Sequence, residues 1–123
     1  MDPYADPRFA QGVELFNAAQ WYEAHDVFED LWHDTAEPER RWVQGVVQIA
    51  VAMVHLGRGN RNGAAILLGE GLGRLTSSMA PPPSWRAAQL LHPCRLQLLR
   101  LQGQSNDSEP ATLVPTLVFD SPE

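Results

Sequence analysis

Between Arg41 and Arg58 the chain carries no Asp, Glu, Lys or Arg for sixteen consecutive residues, WVQGVVQIAVAMVHLG. A surface helix keeps a charged face, so a helix of this composition must be covered by protein around almost its whole circumference. The run is also too short, and too often interrupted by Gln44, Gln48 and His55, for the roughly 20 apolar residues of a membrane span. The expected architecture is therefore all-α: an antiparallel helical bundle with this segment at its centre.

The flanking segments supply amphipathic partners. Asp6-Pro7 is a helix start, with Asp as cap and Pro at the first helical position. Phe9, Val13 and Phe16 follow at helical spacing, with Leu15 beside them, and the pattern fades at Asn17. A second helix is predicted over residues 20–33, with Trp21, Ala24, Val27, Phe28, Leu31 and Trp32 on one face and Glu23, Asp26 and Asp30 opposite. Pro38 opens the third, which Gly57 and Gly59 end. Asn60 can cap a fourth, with Ile66, Leu67, Leu68, Leu72 and Leu75 as its apolar face. That helix also contains Gly63, Gly69, Gly71 and Gly73, each costing about 1 kcal/mol relative to alanine. Close approach of another backbone would explain them.

The pattern degrades after Pro81-Pro82-Pro83. Ser84 can cap a fifth helix, but Pro93 should kink or restart it, which predicts two short pieces, 84–92 and 94–102. Residues 1–102 are read as a single helical domain and 103–123 as a tail. In that tail GQSNDSEP is expected to be disordered, and TLVPTLVF to dock as an extended strip in which Pro115 rules out a central strand. Shifting the sequence by forty residues places Ala24 on Ala64, Phe28 on Leu68 and Trp32 on Leu72. Two hairpins fall short of the three or so repeats of a stacked array, so shared packing demands explain the match.

Composition narrows the function classes. Nine basic against fifteen acidic residues give a net charge of −6, which argues against nucleic acid, whose phosphates need a basic face. Cys94 is the one cysteine, so no disulfide or CxxC clip forms within one chain, as befits a reducing cytoplasm. No basic stretch followed by an apolar core marks the N-terminus as a secretory signal. Four tryptophans and an uncharged helix are much apolar surface for so small a chain, which points to self-association.

At about 100° per residue, Gln44, Gln48 and His55 share a narrow strip on helix three. Amides and imidazoles can be buried there if each finds a partner, since an unpaired group costs about 1–3 kcal/mol. Helix two offers His25 and Glu29, one turn apart. The candidate polar network or pocket lining is thus His25, Glu29, Gln44, Gln48, His55 and Asn60.

The elements EAHxxxExxW (Glu23, Ala24, His25, Glu29, Trp32) and QGxxQxAxAxxHxxRGN (Gln44, Gly45, Gln48, Ala50, Ala52, His55, Arg58, Gly59, Asn60), then Gly63-Ala64, carry a resemblance. Over residues 9–76 the chain resembles domain-of-unknown-function family 309, small helical proteins of prokaryotes and plastid lineages. The resemblance implies an all-helical bundle similar to the hyaluronidase post-catalytic-domain class, and no established activity. The segment from the triple proline onward lies outside it.

Two function classes follow. One is a binding or scaffold module for a protein or small-molecule partner, with the polar residues as an internal network. The other is a metal protein or hydrolase-like enzyme, in which His25, Glu29 and His55 hold a divalent metal or a carboxylate orients an imidazole base. The first is favoured, because neither HExxH nor a paired ExxH signature is present. His33 and His92 read as surface and helix-end residues, and Cys94 as an inert thiol.

Overall fold

The computed structural model describes residues 1–103 and 114–121. Five α-helices follow a 3₁₀ turn at Pro3–Ala5: α1 (Pro7–Asn17), α2 (Trp21–His33), α3 (Glu39–Gly57), α4 (Arg61–Ser77) and α5 (Ala88–Leu101). Each helix packs on its sequence neighbour. The connections from α1 to α4 are short, so packed neighbours run in opposite directions. The result is an all-α bundle, as the uncharged run requires.

Local chemistry sets the helix ends. Asp6 caps α1 by accepting from the Arg8 amide, with Pro7 at the first position. Asn60 caps α4 by accepting from the Gly63 amide. Gly59 adopts a φ of +80° between α3 and α4, a left-handed conformation that costs glycine little.

α3 is the central rod. Trp42, Val43, Gly45, Val46, Ile49, Ala50, Ala52 and Met53 are buried on it. Against it, α2 contributes Ala24, Phe28 and Leu31, and α4 contributes Ala64, Leu68, Gly71, Leu72 and Leu75. Ile66 departs from the expected face and is 61% exposed. It lies two residues from both Ala64 and Leu68, about 200° around the helix from each. The α4 glycines also divide. A Cβ on Gly71 would stand 2.8 Å from Ile49 and 3.0 Å from the Gly45 carbonyl, and one on Gly45 would stand 3.2 Å from the Gly71 carbonyl, so these two backbones approach closely. Gly69 and Gly73 face open space.

An aromatic cluster closes one side. Fully buried Trp42 packs edge-on against Tyr4 and Trp85, with Phe9 at 6.0 Å between ring centres. The Tyr4 hydroxyl donates to the Ala80 carbonyl at 2.7 Å, tying the N-terminal turn to the proline-rich connection. Burial, then the nearby Glu39 and Asp2, push its ionisation well above the usual tyrosine range, so the phenol stays a donor.

The C-terminal part corrects one expectation. α5 is continuous through Pro93 rather than broken into 84–92 and 94–102. Proline has no N–H, so the carbonyl four residues earlier, Gln89, loses its helical donor. The Thr116 amide supplies one instead, at 3.3 Å. Residues 114–121 run extended beside α5, with Pro115 and Leu117 buried and an isolated antiparallel bridge between Trp85 and Phe119. The polar stretch expected to be disordered, beyond Gly103, lies outside the described residues.

Candidate functional site

The charge-free helix does bring its amides to a shared place. Glu29 and Trp32 of α2, with Gln44, Val47 and Gln48 of α3, line an open depression of about 110 Å³. The spacing explains the set. Residues 44, 47 and 48 fall on one α3 face at i, i+3 and i+4, and 29 and 32 on one α2 face at i and i+3. Three of the six residues expected in the polar network therefore meet: Glu29, Gln44 and Gln48.

Gln48 finds its partners on α4, not α2. Its Nε2 donates to Glu70 Oε1 at 2.9 Å, and its Oε1 accepts from Arg74 at 2.9 Å. The amide is thus held at both ends, with one N–H left over. Glu70 and Arg74 were not among the sequence candidates. Their signal was an acid–base pair at i, i+4 on a helix whose other face is apolar. Gln44 has no side-chain hydrogen-bond partner among the described residues. Trp32 forms a wall of the depression, and the Arg40 guanidinium stacks over its ring at 3.9 Å. That stack is a cation–π contact joining α2 to α3.

His25 is engaged within its own helix. Its Nε2 lies 3.2 Å from Glu29 Oε1 and its Nδ1 lies 3.4 Å from Asp26 Oδ1. The Tyr22 ring stands edge-on to it at 5.8 Å. Ligand atoms of His25, Asp26 and Glu29 all fall within 4.8 Å of one another. His55 is outside that group. Its Nδ1 faces Asn60 Nδ2 at 3.1 Å, while Asn60 Oδ1 accepts from the Gly63 amide at 3.0 Å. The second bond fixes which end of the Asn60 amide is oxygen, so Nδ2 donates and His55 Nδ1 accepts. His55 and Asn60 therefore splice the end of α3 to the start of α4.

The remaining histidines and the thiol are simpler. His33 and His92 are exposed. Cys94 is 1% exposed, and burial pushes its thiol up to about 12 against a small opposing effect of Arg95. A neutral, enclosed thiol is no nucleophile. A second electrostatic cluster lies where α1 meets the end of α2. Arg8 pairs with Asp6, Asp30 and Asp34 at 2.9–3.0 Å. Hydrogen bonds from the Arg8 side chain and amide hold the Asp6 carboxyl below its ordinary 3.8, and the three carboxylates raise the guanidinium further above its usual range.

No described helix is long and apolar enough to cross a membrane. No curated protein matches the chain. The model of a family described as Domain of unknown function (DUF309) matches residues 9–67. That stretch contains Glu29, Trp32, Gln44, Val47 and Gln48, the His25 cluster and the His55–Asn60 splice, but stops before Glu70, Arg74, α5 and the C-terminal strip. The small all-helical bundle is consistent with that match, which supports a DUF309 assignment for residues 9–67.

Proposed function

We propose that the protein is a binding module whose α2–α3 depression receives an amide group presented by a partner protein. The observation that carries this is the Gln44 side chain, which has no hydrogen-bond partner among the described residues, at a depression otherwise lined by Glu29, Trp32, Val47 and Gln48. Gln44 offers two donors and an acceptor, Gln48 one remaining N–H, and Glu29 carboxylate acceptors. A neutral group with adjacent donor and acceptor, such as a glutamine or asparagine side chain, complements that set. The volume of about 110 Å³ suits one side-chain head rather than a cofactor, since small-molecule pockets typically span about 300–1,000 Å³.

The test is a titration with N-acetylglutamine methylamide, read on the side-chain amide signals of Gln44 and Gln48 by NMR. Saturable shifts that vanish in Gln44→Leu support the reading. Equal shifts with the arginine analogue, or none with either, would sink it.

A second reading rests on the His25, Asp26 and Glu29 group, which can contribute ligands to a divalent cation. The two carboxylates face different ring nitrogens, so one ion would take His25 Nε2 and Glu29, and Asp26 would have to swing across. Near-stoichiometric zinc in untagged protein, lost in His25→Ala, would favour it over the amide site. The acidic balance of −6 speaks for a protein or small-molecule partner over nucleic acid, and the single enclosed thiol for a cytoplasmic setting. The self-association expected from the tryptophans has less support. Trp42 is fully buried and Trp21, Trp32 and Trp85 pack partly buried against the core.

A further inference from the structure

Residues 114–121 are held as a peptide ligand is held. In an extended chain, alternate residues turn their backbone groups to opposite edges. On one edge, the Thr116 amide donates to Gln89 at 3.3 Å, Val118 accepts from the Arg86 amide at 2.9 Å, and the Asp120 amide donates to Ser84 at 2.9 Å. On the other edge, both backbone groups of Leu117 pair with one side chain. Asn17 Oδ1 accepts from the Leu117 amide at 2.7 Å, and Asn17 Nδ2 donates to the Leu117 carbonyl at 2.9 Å. Leu117 is 2% exposed, Pro115 is fully buried, and the Phe119 ring packs on Phe9 at 5.8 Å. Arg86 also reaches Asp120 at 3.6 Å.

This is strand addition to a short edge, with affinity from main-chain bonds and selectivity from alternate side chains. Most of the receiving groups are built independently of the strip. Gln89 presents a carbonyl because Pro93 cannot donate to it, and Asn17 is an exposed side chain at the end of α1.

We propose that the edge formed by Ser84, Arg86, Gln89 and Asn17 is a recognition site for an extended peptide with the Pro-x-Leu-x-Phe spacing, and that its occupant in trans is the same strip of a second copy of this chain. Each contact described above is available to the strip in another copy, so exchange keeps those hydrogen bonds and costs only the association itself. The twelve residues 102–113 connect α5 to the strip, a covalent reach of up to about 40 Å. The site shares no residue with the α2–α3 depression, so neither reading depends on the other.

The test uses full-length Leu117→Asp, whose strip is spoiled and whose edge is intact. It should keep the wild-type helical circular dichroism and bind the capped peptide VPTLVFDS saturably, with the peptide carrying Asp in place of Leu117 bound at least about tenfold more weakly. Mixed with full-length Asn17→Ala, whose strip is intact and whose clamp is weakened, it should form a two-chain species by native mass spectrometry that neither variant forms alone. Loss of helical signal in Leu117→Asp would show the strip to be an integral part of the core and overturn the proposal, as would absence of peptide binding by the folded variant. Peptide binding without the two-chain species would overturn the second copy as occupant.

Discussion

Along α3 and α4 the backbones touch through Gly45 and Gly71, and no proline interrupts either helix. Around α5 the contacts are of another kind: Pro93 interrupts its ladder, and the missing donor arrives from Thr116. The first arrangement needs small residues at the right turn. The second needs a remote segment to return. A helix can thus be secured by packing alone where its backbone is complete, whereas an interrupted helix depends on whatever chain supplies the lost hydrogen bond.

The largest expected effect distinguishes glycines within one helix. Gly71→Ala should destabilise by about 2 kcal/mol, because its Cβ meets backbone that cannot give way. Gly73→Ala, facing open space, should stabilise by up to about 1 kcal/mol. Urea midpoints of the two variants test this, and equal effects would remove the close-approach account. Pro93→Ala is a smaller perturbation to overall stability but a sharper one to the contrast. It restores a donor that competes with Thr116 for Gln89, so α5 should gain locally while hydrogen-exchange protection of the Thr116 amide falls. Unchanged protection there would mean the strip is held by its other contacts.

The smallest effect is electrostatic and lies outside both regions. Asp6 is held below its ordinary 3.8 by Arg8, so its folded-state value is depressed. The stability it adds is present above the unfolded value and is lost as pH falls below about 4 through the folded one. The melting difference between wild type and Asp6→Asn should be level from pH 7 to 5 and close on further acidification. The Asp6–Arg8 pair is only partly buried, and ion pairs within reach of solvent are weak, so the difference at neutral pH should be slight.

Much of the bundle was legible because helices announce themselves locally. Asp6-Pro7, Asn60 and the glycines at 57 and 59 place the ends of α1, α3 and α4 within a residue or so, and the missing charge between Arg41 and Arg58 makes α3 central. The site was partly legible for the same reason: residues one turn apart share a face, which brings Glu29 near Gln44 and Gln48. Periodicity does not say which neighbour a polar atom chooses. Gln48 takes its partners from Glu70 and Arg74, and His55 serves the Asn60 cap. The wrong reading of α5 has the same origin. From sequence, Pro93 is only a lost hydrogen bond; that Thr116 replaces it is a fact about residues far apart in the chain.

The order of residues determined, by itself, that this protein is helical, where most of its helices begin and end, and which one lies inside, because capping, periodicity and charge act over a few positions. The tertiary structure decided which glycines touch backbone, which helix supplies the partners of Gln48, and how a proline-interrupted helix is completed. Those outcomes depend on distances between segments, and such distances exist only once the chain has packed.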